Sequence, residues 1–320
     1  MPAKSLLEYM EWLDSRDILW PQVPPPTPVK ATPYLKPLQE IRAVTWSVYG
    51  TLVRISDGQL LFDVPQEIRM QVALEKTIRE FNMWQSMTRK PGEPWKQMYD
   101  QYKTLLDQQR MSATKQKGET IEIDVREIWK TILSRLEAKE YRLDPEMGDR
   151  DAAAEKIAYF FHANLQGVEA SPHAAETVAT IANSGFTQSL ISDGQAFTLG
   201  QMLRALSKQV TLPPPGRLFS MNCLTFSFQE GVRKPSKRLF EAGLHRLENL
   251  GISPGEVMHV GSRLRDDLAI ARQLGMKTVL YAGDQLGFQA DKQDVQNPAY
   301  RPDRLITNLE QLEAILQLTP

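Results

Sequence analysis

Residues able to do chemistry fall in four short runs. In Val44-Thr45-Trp46-Ser47-Val48-Tyr49-Gly50-Thr51-Leu52, a β-branched and aromatic stretch stops at a tight turn, and Gly50 lets the backbone approach a ligand closely. Open α/β sheets place their reactive groups at such strand ends. Ser47 is the group there that could attack, provided a base lies within hydrogen-bond reach and donors face the oxyanion. Of the four histidines, His162, His173, His245 and His259, only His259 is expected near that sheet edge. It falls inside a strand before Gly261 rather than at a loop tip, so a Ser47–His259 pair is not expected. The Gly-x-Ser-x-Gly elbow is also missing, because Trp46 and Val48 flank Ser47.

The other three runs carry hydroxyls and charges. Ser189-Leu190-Ile191-Ser192-Asp193-Gly194, taken alone, is a strand closing in a turn and a helix N-cap. Gly231-Val232-Arg233-Lys234-Pro235-Ser236 places a lysine before a proline suited to a first helical turn. Alone, such a lysine is a solvated loop residue; beside anions, it neutralises carboxylates or a bound ligand. Met258-His259-Val260-Gly261-Ser262-Arg263-Leu264-Arg265-Asp266-Asp267 ends in two adjacent carboxylates able to position a metal ion or a water.

The elements that must hold these runs follow from periodicity. Residues 1–40 form an arm: Leu6, Leu7, Met10 and Leu13 have helical spacing, and Pro24-Pro25-Pro26 ends all regularity. The arm is a stiff spacer laying a short helix on the main body, rather than a ligand for an aromatic groove. A strand spans Ile41 to Val48. Residues 58–166 are mostly helical, with one stripe on Ile68, Val72, Ala73, Thr77 and Phe81 and another on Trp95, Met98, Tyr99, Tyr102 and Leu106. The aromatic stripe is core rather than a cofactor box. Thr88 to Pro94 breaks the stripes as a loop, and Val125 to Leu136 is a further helix. From Gly167 the pattern alternates, as in a doubly wound parallel sheet. Helices are expected at Pro172–Ser184, Pro235–Leu250 and Leu264–Leu274, and strands at Phe186–Ser192, Val257–Val260 and Thr278–Tyr281.

Together, the four runs closely resemble the motifs of the haloacid dehalogenase-like (HAD) hydrolases, in order and at matching spacing from Ile41 to the Leu309–Leu316 helix. The resemblance implies a Rossmann-like α/β core (41–57 plus 167–320) with an inserted helical cap (58–166). It places the family's nucleophilic aspartate on Ser47, and Tyr49 two residues later. Gly50, Thr51, Ser192, Asp193 and Lys234 fall on the anion-holding positions. The first motif-four acid falls on Ser262, with Asp266 and Asp267 following. Phosphatases of the family hold Mg²⁺ with the two carboxylates that are Ser47 and Ser262 here, so Mg²⁺ retention is expected to be weakened and no cofactor is expected. Ser262 and Tyr49 alone would fit the metal-independent dehalogenase branch, but Leu264 stands where that branch is usually polar. Ser47 departs from both branches, whose chemistry passes through an aspartyl intermediate.

Three readings follow. The first is a pseudoenzyme that binds an anionic, phosphate-bearing molecule or a protein partner. The second is an active hydrolase, phosphatase-like or dehalogenase-like, using Asp266 or Asp267 by a non-standard mechanism. The third is an interaction module built on the arm and cap. Composition narrows the partners. The 320 residues are 42% hydrophobic and 24% charged with a formal net charge of −1, an ordinary globular mix with no basic surplus for nucleic acid or an anionic membrane. The single cysteine, Cys223, excludes an intrachain disulfide and fits a reducing compartment. No apolar run reaches membrane-spanning length and no signal-like N-terminus is present, so a cytoplasmic location is expected.

Overall fold

The computed structural model describes residues 3–87, 92–113 and 119–318. The described residues form eight strands: β1 Ala43–Trp46, β2 Val53–Ile55, β3 Val168–Ala170, β4 Thr187–Ser192, β5 Thr225–Phe226, β6 Val257–Gly261, β7 Lys277–Tyr281 and β8 Arg304–Ile306. Six make one parallel sheet in the order β5-β4-β1-β6-β7-β8. Its central strand β1 is buried at every position, as expected where helices cover both faces and a strand reads as a continuous apolar run. Trp46 anchors β1 by donating its indole N–H to Gln188 of β4 at 3.0 Å.

Helices α1 Leu6–Asp14, α2 Glu67–Glu80, α3 Pro94–Ala113, α4 Val125–Glu137 and α5 Arg150–Leu165 precede β3. Around the sheet lie α6 Ala174–Asn183, α7 Thr198–Ser207, the single turns α8 Pro215–Leu218 and α9 Ser227–Glu230, α10 Lys237–Glu248, α11 Ala269–Gln273, α12 Lys292–Gln296 and α13 Leu312–Leu316. This is the Rossmann-like α/β core with a helical cap. Strands β2 and β3 pair antiparallel and form the joint from which the cap helices α2 to α5 rise. Asp124 and Asp149 cap α4 and α5 by accepting from Arg126 N and Ala152 N, both at 2.9 Å. Each satisfies one of the unpaired donors of a first turn. The aromatic stripe of α3 is core: Trp95, Met98, Tyr102 and Leu106 are buried, and the Tyr102 ring lies 5.0 Å from that of Phe161 in α5.

Several sequence expectations are corrected. The α2 stripe is corrected in part: Ala73, Thr77 and Phe81 are buried as expected, but Ile68 and Val72 are 64% and 40% exposed, and Met70, Leu74 and Ile78 face inward instead. Residues three and four apart share a helix face, and packing against α3 and α5 centres the buried face slightly to one side of the expected stripe. The helix expected from Pro235 begins at Lys237, because Ser236 takes the N-cap position and accepts from Arg238 N. The segment expected as one helix from Leu264 opens with a π-helical turn over Leu264–Leu268 before α11. Four strands, β2, β3, β5 and β8, were not anticipated. Residues 88–91 of the expected loop lie outside the described residues. No helix among the described residues is long and apolar enough to cross a membrane.

Candidate functional site

Ser47 follows β1, Ser192 ends β4 and Ser262 follows β6. Since β1 lies between β4 and β6, all three sit where crossovers leave the sheet in opposite directions and a crevice opens at the strand ends. The turn after Ser47 needs glycine. Gly50 has φ +84°, and a Cβ on it would come within 2.6 Å of Ser262 Oγ and 3.3 Å of Gly287 O.

Around Ser47 is a closed hydrogen-bonded cluster. Lys234 Nζ donates to Ser47 Oγ at 2.7 Å and to Asp267 Oδ1 at 2.5 Å. The Ser47 hydroxyl in turn donates to Asp267 Oδ2. His259 Nε2 lies 2.8 Å from Asp267 Oδ1 and 3.3 Å from Ser47 Oγ, and its Nδ1 lies 2.8 Å from Thr45 Oγ1. All four residues are buried, with Ser47 2%, Lys234 3%, and His259 and Asp267 0% exposed.

The placement of His259 corrects the sequence expectation. Pairing in the sheet sets Thr45 opposite His259, and the imidazole reaches past Thr45 to Ser47. Proximity does not make a triad, however. An ionised carboxylate only accepts, so Nε2 carries the proton it shares with Asp267 and Nδ1 accepts from Thr45. The nitrogen nearest Ser47 is therefore a donor, and the serine proton points to Asp267. A nucleophilic serine needs that nitrogen unprotonated.

Electrostatics agree with this assignment. Burial opposes ionisation of Asp267, but Lys234, His259 and Arg263 outweigh it and hold its carboxyl well below the usual carboxylate range. Burial lowers His259, offset only partly by Asp267, so the imidazole is neutral near pH 7. Burial also lowers Lys234, again opposed chiefly by Asp267. With one ammonium against one carboxylate, the cluster is neutral overall.

The remaining predicted residues surround this cluster. Ser192 Oγ accepts from Val48 N at 3.0 Å and donates to Asp193 O at 2.8 Å. Asp193 accepts from Lys234 N at 2.8 Å through Oδ1, and its Oδ2 pairs with Arg263 at 2.9 Å and Arg233 at 3.7 Å. Tyr49 points elsewhere: its hydroxyl donates to Gln201 at 2.7 Å and lies 3.1 Å from Thr198, and burial pushes the phenol above its usual range. Thr51 Oγ1 is buried without a hydrogen-bond partner among the described residues. Ser262 is buried, and its carbonyl accepts from Gln289 N at 3.0 Å. Asp266 is half-buried. The arginines were missed by the sequence reading; their signal was adjacency, each standing next to a motif position, Lys234 or Ser262.

Mg²⁺ does not fit this set. A hard divalent ion needs anionic oxygens in an octahedral shell. The one buried carboxylate of the cluster is taken up by Lys234, Ser47 and His259, and two arginines flank the approach. Among the described residues, no group of three or more His, Cys, Asp or Glu side chains is arranged to hold a metal.

Six parallel strands, a helical cap on a β2–β3 joint and motif residues at three strand ends define a HAD-type hydrolase scaffold. A family model described as HAD-hydrolase-like matches residues 231–312, the stretch holding Lys234 and Asp267. The glyceraldehyde 3-phosphate phosphatase of Pyrococcus furiosus is 28% identical over 176 residues, 55% of this chain and 66% of that protein. The match thus falls just short of two thirds of the relative's length. The crystal structure of a 2-haloacid dehalogenase from Pseudomonas syringae pv. tomato DC3000 has the same fold, with 21% identity and a TM-score of 0.52, over 87% of this chain and 98% of that one. The chain thus has the fold of the haloacid dehalogenase-like hydrolases, and its residues 231–312 match that family's model.

Proposed function

We propose that this protein is a HAD-fold pseudoenzyme that binds a small phosphate-bearing anion without hydrolysing it. The observation that carries the reading is the Ser47 hydroxyl donating to Asp267, with Lys234 paired to the same carboxylate. Position 47 thus holds no carboxylate to form a covalent intermediate, and the serine proton points at a carboxylate that its cationic neighbours make a weak base. The lysine charge that would meet a substrate anion is already neutralised.

Anion attraction passes instead to Arg233 and Arg263. These two guanidiniums share one close carboxylate, Asp193, with Glu122 acting on Arg233 and Asp266 on Arg263 from further off. Planar guanidinium groups suit two-pronged contacts to phosphate oxygens. The space left among Tyr49, Gly58, Gln59, Leu60, Ser192, Asp193, Arg233 and Arg263 is about 10 Å³, room for roughly one water. A phosphate group therefore enters only when cap and core part.

Calorimetric titration of the full chain with inorganic phosphate tests this reading. Saturable binding that weakens roughly tenfold or more in Arg263→Ala is expected, the loss of one charge-assisted contact. Binding unchanged in Arg263→Ala and Arg233→Ala would remove the arginines from the account.

The contact between Ser47 and His259 favours a second reading, an active hydrolase with serine as nucleophile. It requires the imidazole to surrender its bond to Asp267 and change tautomer. Turnover lost in both Ser47→Ala and His259→Gln would support it.

A further inference from the structure

The arm preceding β1 is wound across both bodies of the molecule. Its helix α1 is nucleated by a capping box, with Glu8 N donating to Ser5 Oγ at 3.3 Å and Ser5 N to Glu8 Oε2 at 2.6 Å. The buried face, Tyr9, Met10 and Leu13, is at most 1% exposed and wedged between cap helix α5 and core helix α7. Asp14 pairs with Arg204 of α7 at 2.7 Å. Two residues on, Arg16 pairs with Glu80 of cap helix α2, one contact lying at 3.1 Å. Neighbouring arm residues are thus ionically tied to opposite bodies.

The strap continues along the cap and over the joint. Leu19 O accepts from Lys76 of α2 at 2.6 Å. The Trp20 ring meets Phe160 of α5 edge-on at 5.8 Å and lies 5.2 Å from the Arg204 guanidinium of the core. Pro21 and Gln22 then cross Gly167, which leads from α5 into β3; a Cβ there would stand 2.6 Å from Pro21 O. Only glycine admits the crossing backbone. Pro24 O accepts from Arg54 of β2 at 2.7 Å, Thr27 N donates to Asp284 at 3.0 Å, and Tyr34 bridges to Leu305 of β8.

Independently of the arm, cap residues 120–125 rest on the core. Ile121 bridges to Val232, Arg233 N donates to Thr120 O at 2.8 Å, and Gln195 holds Val125 N at 3.0 Å and Ile123 O at 2.7 Å. The cap is therefore fastened to the core at two separate places, by the arm and by its own residues 120–125. Beyond the single Tyr34 bridge the arm belongs to neither sheet, so it can lift without unravelling strands or cap helices.

The geometry points to the arm as an intramolecular latch: α1 through Gln22 pins the cap to the core, and the cleft above Ser47 opens only when this segment lifts. The latch stands on contacts remote from the arginines, so it does not depend on what the site binds.

Thiol labelling of the full chain tests it without any ligand. Cys223, the buried native thiol, is replaced by serine, and Leu60→Cys, at a cleft-lining position 8% exposed, reports opening to dithionitrobenzoate. Adding Leu13→Ala with Asp14→Ala, or Gly167→Ala, is expected to speed labelling roughly tenfold or more with circular dichroism unchanged. Leu19→Ala, at a residue 86% exposed, is expected to leave the rate alone. Labelling no faster in the latch variants, or as fast in the parent as in the urea-unfolded chain, overturns the proposal. Should those variants fail to fold, hydrogen exchange on the unaltered protein decides. Amides of β2 and β3 exchanging no faster than those of α1 support the latch, and joint amides outrunning α1 refute it.

Discussion

Replacing Asp267 with asparagine removes the acceptor on which Ser47, Lys234 and His259 converge. Asparagine offers one acceptor oxygen and adds two donors, so at least one former donor loses its partner. The larger effect is on Lys234, whose side chain is 0% exposed beside Asp267 and would keep a charge with no counter-ion. At 2.5 Å and an effective dielectric near 20, the attraction removed is about 7 kcal/mol before desolvation is counted. Breaking one partner of a buried pair leaves a net loss of about 3–5 kcal/mol. For 320 residues that corresponds to a melting temperature lower by about 4–8 °C. Urea unfolding of Asp267→Asn, Lys234→Met and the double variant Lys234→Met/Asp267→Leu measures it. The singles are expected to lose about 3–5 kcal/mol each, and the double far less than their sum, because two packed apolar side chains need no counter-ion. Catalytic groups held in strained or repulsive arrangements behave oppositely, and their removal is neutral or stabilising. Singles that cost under about 1 kcal/mol, or that stabilise, refute the closed-cluster account.

Three other outcomes follow from burying titratable groups. His162 packs among the rings of Phe62, Phe161 and Phe197, and burial pushes its value from 6.5 down to about 3. Above pH 6.5 neither state binds the proton. Between there and about 3 only the unfolded chain does, so stability falls as pH falls, by about 1.4 kcal/mol per pH unit from this group. His162→Phe is expected to lose that share of the slope in urea melts from pH 4 to 7, and an unchanged slope would place the imidazole in contact with water. The double variant Ser47→Asp/Ser262→Asp adds two negative charges to a neutral cluster, so Mg²⁺ is expected to raise its melting temperature and leave that of the parent unchanged. Ser47→Asp alone sets a second carboxylate against Asp267 and is expected to destabilise. An equal response to Mg²⁺ in parent and double variant contradicts the charge argument.

Much of this fold was legible because burial writes it into the sequence. Strands β1, β4, β6 and β7 show as apolar, β-branched runs, and α3 as an aromatic stripe. Strands of two or three residues, such as β5 and β3, are too short for any period to register. On α2, Ala73, Thr77 and Phe81 were placed inward as they are, but Ile68 and Val72 were not, because they satisfy helical spacing as well as the buried Met70 and Leu74 do and only packing neighbours decide the edge of the face. At the site, Ser192, Lys234 and Asp267 were found from motif order. His259 was set aside because position along its own strand was weighed without register across strands, and it is the pairing with Thr45 that carries the ring to Ser47. Arg233 and Arg263 show in the sequence only as neighbours of Lys234 and Ser262, since their role arises from loops meeting at Asp193.

The central claim is that Ser47 sits in a neutral, sealed network rather than a reaction centre. Its most direct test is turnover by the 320-residue chain of p-nitrophenyl phosphate with Mg²⁺, and of 2-haloacids without it, beside Ser47→Ala. The account predicts rates at background for both proteins. Substrate turnover by the parent that disappears in Ser47→Ala would contradict it.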